Sequence, residues 1–334
     1  MSRLKIILIG FGILASLTLA AIVWFVMSLF AEPDLINAPD YYPFKSETAK
    51  QNYLRYYDKR AQTWPVASRD TIIETSYGST FIRVSGPEAA PALVLLPSTN
   101  SNSLIWTTNI AALSEQYRVY ALDNIYDVGR SVNTRNIHGT EDMVAWLDEL
   151  FTSLDLENDI NLMGLSFGGW LTSQYLLSHP ERLDKVVLIA PVATVIQIPG
   201  EWAWRAIISA LPHRYFMKIF MVQWLFADLF KQNDEASIKL VDQFVEDAMM
   251  SLKSYTFRMP ITPTVISDSQ FREITVPALF LVGENEKLYP AVEAVDRLNS
   301  IAPQIQTNII RGAGHDLTIV QADSVNQMVL EFLR

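Results

Sequence analysis

The sequence predicts an α/β domain, a mostly parallel sheet with helices on both faces, broken by a helical insertion and preceded by a membrane-spanning helix. Three observations carry that expectation. Short β-rich runs alternate with helical stretches over 71–191 and again over 268–334, the pattern of a sheet covered by crossover helices. Between these blocks the alternation stops, and residues 192–267 read as helical and aromatic, with Trp202, Trp204, Phe216, Phe220, Trp224, Phe226 and Phe230 among them. Ahead of both lies an uncharged apolar run, Ile6 to Phe30.

Taken in order, residues 1–5 hold Arg3 and Lys5. The 25 residues of the run that follows, at about 1.5 Å each, reach roughly 37 Å, enough for a hydrocarbon core of about 30 Å with some tilt. Glu32 and Asp34 follow the run, so the basic flank marks the N-terminus as cytoplasmic and the rest of the chain as extracytoplasmic. A cleaved signal peptide is the rival reading, with small residues around Thr18 and Ala20, but the run exceeds the usual 7 to 15 residues of such a segment. Residues 31–46, rich in Pro, Asp and aromatics, read as an extended tether, and a helix from Glu47 to Thr63 stops at Trp64-Pro65, closing a segment over 31–70.

Strand signals then follow: TIIET, STFIRVS across the Tyr77-Gly78 turn, ALVLL ending at Pro97, RVYAL over 118–122, INLMG over 160–164 and KVVLIA over 185–190. Helical patterns fall near 140–154 and 168–178. After the insertion come ALFLVG over 278–283, a helix over 291–300 and QTNIIR over 306–311. Within the insertion, seven basic and seven acidic residues between 192 and 265 cancel. Tyr215 to Phe230 carries Lys218, Gln223 and Asp228 five apart, which leaves no wet face. That stretch reads as a helix packed between insertion and core, or as a surface lining an acyl chain; it is too short and too polar for a second span.

Composition narrows the chemistry. Of 334 residues, 50% are apolar and 19% charged, so the chain folds around a sizeable core. Lys and Arg total 26 against 36 Asp and Glu, a formal charge of −10, the wrong sign for nucleic acid. With Cys 0, disulfides, Cys-ligated zinc, iron–sulfur clusters and thiolate catalysis are all excluded. No His pair or carboxylate cluster has ligand spacing, and no cofactor is implied.

Gly164-Leu165-Ser166-Phe167-Gly168 lies between a strand signal and a helix, the context of a nucleophile elbow. Glycines suit it because the turn is strained and its neighbours pass close. A serine hydroxyl needs a base. Of four histidines, His138, His179 and His213 read as structural or solvated, whereas His315 follows the last strand signal in Arg311-Gly312-Ala313-Gly314, at the carboxyl edge where sites of parallel sheets collect. An acid must orient that imidazole; Glu286 is preferred after ALFLVG, with Glu284 as the alternative, while Asp316 reads as pointing elsewhere.

From about Trp64 to the C-terminus the chain resembles the α/β-hydrolase superfamily, in its Ser-dependent esterase-like branch with a helical cap. The matching segments are GLSFGGW, SHPERLDKVVLIAP, LVGENEKLYP and GAGHD. The resemblance implies Glu286 as the acid, in place of the more usual Asp. It also aligns Asp123 to Ser131 with the family's D-x-x-G-x-G-x-S loop, Tyr126 standing at the first glycine. Where the family has His-Gly after its third strand, this chain has Pro97-Ser98. Thr99 and Phe167 would then supply the two backbone N–H groups of an oxyanion hole.

These residues together lead us to expect a membrane-anchored serine hydrolase that cleaves an ester of an apolar or lipid-like acyl substrate through an acyl-enzyme. Thioester and carbon–carbon hydrolysis use the same residues. The altered Pro97-Ser98 loop keeps a non-catalytic, tethered binding module as the alternative.

Overall fold

The computed structural model describes residues 34–334 apart from 210, 212 and 257–260, together with isolated positions 16 and 20. Except for those two positions, the expected membrane-spanning run Ile6 to Phe30 lies outside the described residues. Among the described residues no helix is long and apolar enough to cross a membrane.

Nine strands of the described residues form one sheet: β1 (Ser68–Thr75), β2 (Gly78–Ser85), β3 (Ala92–Leu96), β4 (Arg118–Leu122), β5 (Val132–Asn133), β6 (Ile160–Leu165), β7 (Leu183–Ile189), β8 (Ala278–Gly283) and β9 (Gln306–Ile310). Their order is β1-β2-β4-β3-β6-β7-β8-β9, with β5 against β2. The pairs that β2 makes with β1, β4 and β5 are antiparallel, and every pair from β4 to β9 is parallel. β6 and β8 are buried at every position, as strands covered on both faces must be. The edge strand β1 instead leaves Arg69, Asp70 and Glu74 exposed, charges that discourage pairing with another chain.

Alternate residues of the buried strands enter different cores, one on each face. Leu162, Phe280 and Val282 pack with Trp146, Phe151, Trp170 and Tyr175 from helices Thr140–Ser153 and Phe167–Ser178. Met163, Leu165, Leu279 and Leu281 pack with Tyr57, Trp106, Leu317 and Val329.

The expected open tether is docked at its end. Phe44 is buried, bridges to Tyr255, and lies 4.5 Å from the Tyr255 ring and 5.7 Å from that of Tyr53. Three aromatic rings thus close over the start of helix Glu47–Ala61, whose cap is Ser46 Oγ accepting from Ala49 N at 3.1 Å.

Between β7 and β8 the chain forms helices Gly200–Ser209, Arg214–Phe220, Ala227–Gln232, Glu235–Ser254 and Asp268–Glu273. The single helix expected over Tyr215 to Phe230 is broken by a π-helical turn, Met221–Leu225. Phe226 N donates to Met221 O at 2.7 Å, and Phe226 then leaves the helical region at φ −126°. Its ring stacks on Phe244 at 4.4 Å, a contact that a straight helix would carry round to another face. Met217, Met221, Leu229, Val241 and Val245 form a third core beneath this break.

Candidate active site

β6 ends at Leu165, and Ser166 turns the chain into helix Phe167–Ser178 with φ 55° and ψ −111°. A residue bearing a Cβ holds such a conformation at a cost of roughly 1–3 kcal/mol, and only where its surroundings fix it. Here Ser166 N donates to Ile189 O at 2.9 Å, and Ser166 O accepts from Trp170 N at 3.0 Å and Val192 N at 3.2 Å. The flanking glycines are required by space: a Cβ on Gly164 would stand 2.1 Å from Gly168 O, and one on Gly168 2.2 Å from Leu96 O. The Ser166 hydroxyl makes no hydrogen bond to a described residue. At sites without substrate such contacts are often long, and they tighten when the substrate seats.

Two further turns at the same carboxyl edge supply an acid–base pair. Glu286, in the turn after β8, places Oε2 2.8 Å from His315 Nδ1 in the loop after β9. Its Oε1 accepts from Lys287 N at 2.8 Å and Leu288 N at 2.9 Å. Three donors satisfy a carboxylate whose side chain is 0% exposed, which makes its burial tolerable. Because the carboxylate can only accept from Nδ1–H, the imidazole Nε2 is left free to take a proton. Burial opposes charge on His315, but the adjacent Glu286 charge and hydrogen bond outweigh it, Asp316 adds to them, and the pKa is raised above 6.5.

The alternative acids have other tasks. Glu284 is exposed and accepts from Gly312 N at 3.0 Å, pinning the turn before His315. Asp316 is directed toward the inserted helices, accepting from Leu229 N at 2.8 Å and from Gly314 N at 3.2 Å.

The backbone N–H groups of Thr99 and Phe167 donate to no described residue. The two residues line one small cleft together with Asn124, Tyr126, Asp127, Met143 and Ile261. Ser166 and His315 are not part of that lining, so the cleft sits beside the nucleophile. Phe167 opens a 12-residue helix, whose positive end favours developing negative charge there.

Sequence reasoning gave no role to the carboxylates that shape this cleft. Asp127 accepts from Asn100 N at 2.8 Å and Val128 N at 2.8 Å, tying the loop after β3 to the loop after β4. Asp123 accepts from Ser103 N at 2.8 Å, Arg130 N at 2.8 Å and the Tyr57 hydroxyl at 3.2 Å. Burial raises its pKa against the pull of these bonds. The one available signal was that Asp123 opens, and Asp127 lies within, the stretch resembling the family's D-x-x-G-x-G-x-S loop.

This arrangement, a strained serine after the fifth strand along the sheet with an acid-held histidine two turns away, defines an α/β-hydrolase site of the serine type. Residues 91–322 match the family described as alpha/beta hydrolase fold, and the chain belongs to that family, in its esterase branch. Carboxylesterase YbfK of Bacillus subtilis is 33% identical over 284 residues, which span 84% of this chain and 93% of that relative. The crystal structure of naproxen esterase (carboxylesterase NP) from Bacillus subtilis aligns with a TM-score of 0.78 at 30% identity, covering 87% of this chain and 100% of the other. That of carboxylesterase CesB (YbfK) from Bacillus subtilis gives 0.76 at 31% identity over 86% of this chain and 98% of the other.

Proposed function

We propose that the protein is a membrane-tethered serine carboxylesterase that acts on esters of apolar or amphiphilic acids through an acyl-enzyme. The observation that carries the chemistry is the buried 2.8 Å contact of Glu286 with His315 at the sheet edge where Ser166 is held in its strained turn. Ser166 Oγ attacks the ester carbonyl while His315 Nε2 takes its proton. Collapse of the tetrahedral oxyanion breaks the carbon–oxygen bond, and His315 returns the proton to the leaving alcohol. Water then repeats the attack on the acyl group, giving its proton to His315, and Ser166 regains it as the acid departs. Thr99 N–H and Phe167 N–H hold the oxyanion; one such donor is worth about 100-fold to 1,000-fold in rate. The carboxylesterase names of the Bacillus subtilis relatives support an ester as the substrate.

The zero net charge and aromatic content of residues 192–265 support an apolar acyl group. A panel of p-nitrophenyl esters of rising chain length tests both parts. A stoichiometric burst of nitrophenol that Ser166→Ala abolishes marks the acyl-enzyme, and rates that ignore chain length contradict an apolar acyl site.

The 25 uncharged residues from Ile6 to Phe30, with Arg3 and Lys5 before them, support a single span with the enzyme on the extracytoplasmic side. Protein beginning at Glu32 is expected to be soluble and active, and full-length protein to sediment with membranes. Full-length protein in the soluble fraction contradicts the tether.

A further inference from the structure

The geometry points to a bilayer-docking face on the insertion: Trp204, Ile208 and Leu211 enter the lipid, and the enzyme works against the membrane surface rather than in solution at the end of its tether. This rests on the tether reading and deepens it. Of nine large apolar side chains exposed among the described residues, six lie in the insertion. Trp204 is 48% exposed, Ile208 40% and Leu211 45%. Trp204 and Ile208, four apart, share one face of helix Gly200–Ser209. Leu211 N donates to Ile208 O at 3.1 Å and carries the turn on past the end of that helix. Trp202, on another side of it, packs against the core beneath. A surface helix with one face in the core normally turns polar residues to water on the other. Here the outward face is apolar too, which marks a binding surface.

Two observations make lipid its occupant. The chain that leaves the proposed span at Phe30 is pinned to the insertion around Phe44, where Lys45 N donates to Ser254 O at 2.8 Å and Thr256 N to Pro43 O at 2.9 Å. Residues 31–43 reach at most about 45 Å, so the insertion is held beside the bilayer. The basic side chains of this helix and the next are, moreover, already paired: Arg205 with Glu201 at 2.8 Å, Arg214 with Glu246 at 2.6 Å and Lys218 with Asp242 at 2.9 Å. What the face offers is therefore apolar and aromatic surface, which enters the interface of a neutral bilayer. The insertion also reaches the His315 loop, Leu229 N donating to Asp316 at 2.8 Å, so docking brings the candidate site to esters dissolved in the membrane.

Because the chain has Cys 0, a single introduced cysteine can report depth. Full-length protein in phosphatidylcholine vesicles carries a fluorophore on Ile208→Cys or, for comparison, on Ile72→Cys in the edge strand β1, and lipids that quench from within the acyl region are titrated in. Quenching is expected at 208 and not at 72. Trp204→Gln, Ile208→Gln and Leu211→Gln combined are expected to lower the rate on a long-chain ester dissolved in the vesicles by about tenfold, with p-nitrophenyl acetate in solution hydrolysed as before. No quenching at 208, equal quenching at both positions, or an unchanged rate on the dissolved ester overturns the inference. Disulfide-linked dimers of unlabelled Ile208→Cys in place of quenching would seat a second copy on the face and overturn it as well. Failure of the tether reading is separately visible, as full-length protein left in the soluble fraction.

Discussion

Asp316 accepts the backbone N–H of Leu229 at 2.8 Å, so the residue beside the candidate base caps a helix of the insertion. Leu229 lies in the first turn of helix Ala227–Gln232, whose own N-cap, Phe226, offers no side-chain acceptor. A first-turn N–H without an intrahelical partner needs an acceptor from elsewhere, and the loop after β9 provides it. The insertion is thereby fixed to the segment that carries His315.

Asp316→Ala is accordingly expected to loosen the insertion before the sheet. Leaving a buried N–H unpaired costs about 1–3 kcal/mol. Limited proteolysis near residues 221–234 should accelerate well before global unfolding does, and kcat/KM should fall. Unchanged proteolysis at those positions contradicts the tie.

The same carboxylate gives a pH-dependent difference. Burial raises the Asp316 pKa above 3.8, against the backbone hydrogen bonds it accepts. A carboxyl whose folded-state pKa is raised contributes stability that is fully present below its unfolded value and is lost as pH rises through the folded one. The stability advantage of wild type over Asp316→Asn, measured by denaturant melts, should therefore be fullest below pH 3.8 and shrink as pH rises toward neutrality. A gap that widens with pH would show that the ionised form is the better fit.

His315 follows the same sign with a different readout. Only neutral imidazole accepts the serine proton, so kcat/KM should rise with pH along a limb whose midpoint lies above 6.5, because Glu286 favours the charged ring. Glu286→Gln removes that charge and the acceptor for Nδ1–H. The limb should move to lower pH, and the rate should fall by about 10³-fold to 10⁴-fold, as expected when an imidazole loses its orienting acid. A limb that stays in place contradicts the pairing.

Close approach at the elbow predicts a graded glycine series. Gly168→Ala would put its Cβ 2.2 Å from Leu96 O, a backbone atom that cannot swing aside, whereas Gly314→Ala meets Asn285 O at 3.1 Å. The first is expected to cost about 3 kcal/mol of stability with near-complete loss of activity, and the second to be milder. Equal effects of the two would argue against a tightly packed elbow.

The parts legible in the sequence were those in which a residue type has a single physical use. Gly164 and Gly168 announced the elbow because no side chain fits there, and the runs INLMG and ALFLVG announced buried strands because parallel strands are covered on both faces. Glu286 was preferred to Glu284 after ALFLVG, and the family resemblance implied the same residue; in the structure only Glu286 turns inward to His315. Other features depend on contacts distant in the chain. The break near Phe226 follows its stacking on Phe244, and the docking of Phe44 needs Tyr255. The work of Asp127 and Asp316 lies in accepting N–H groups from loops that sequence alone does not bring near. Strand β5, Val132–Asn133, is too short to leave a periodic signal.

The most direct test of an activated serine is covalent capture. Full-length protein treated with a fluorophosphonate and digested is expected to carry one phosphonyl group on the peptide containing Ser166, with no labelling in Ser166→Ala and greatly slowed labelling in His315→Ala. Folded wild-type protein that remains unlabelled, or label found on another serine, would contradict the account.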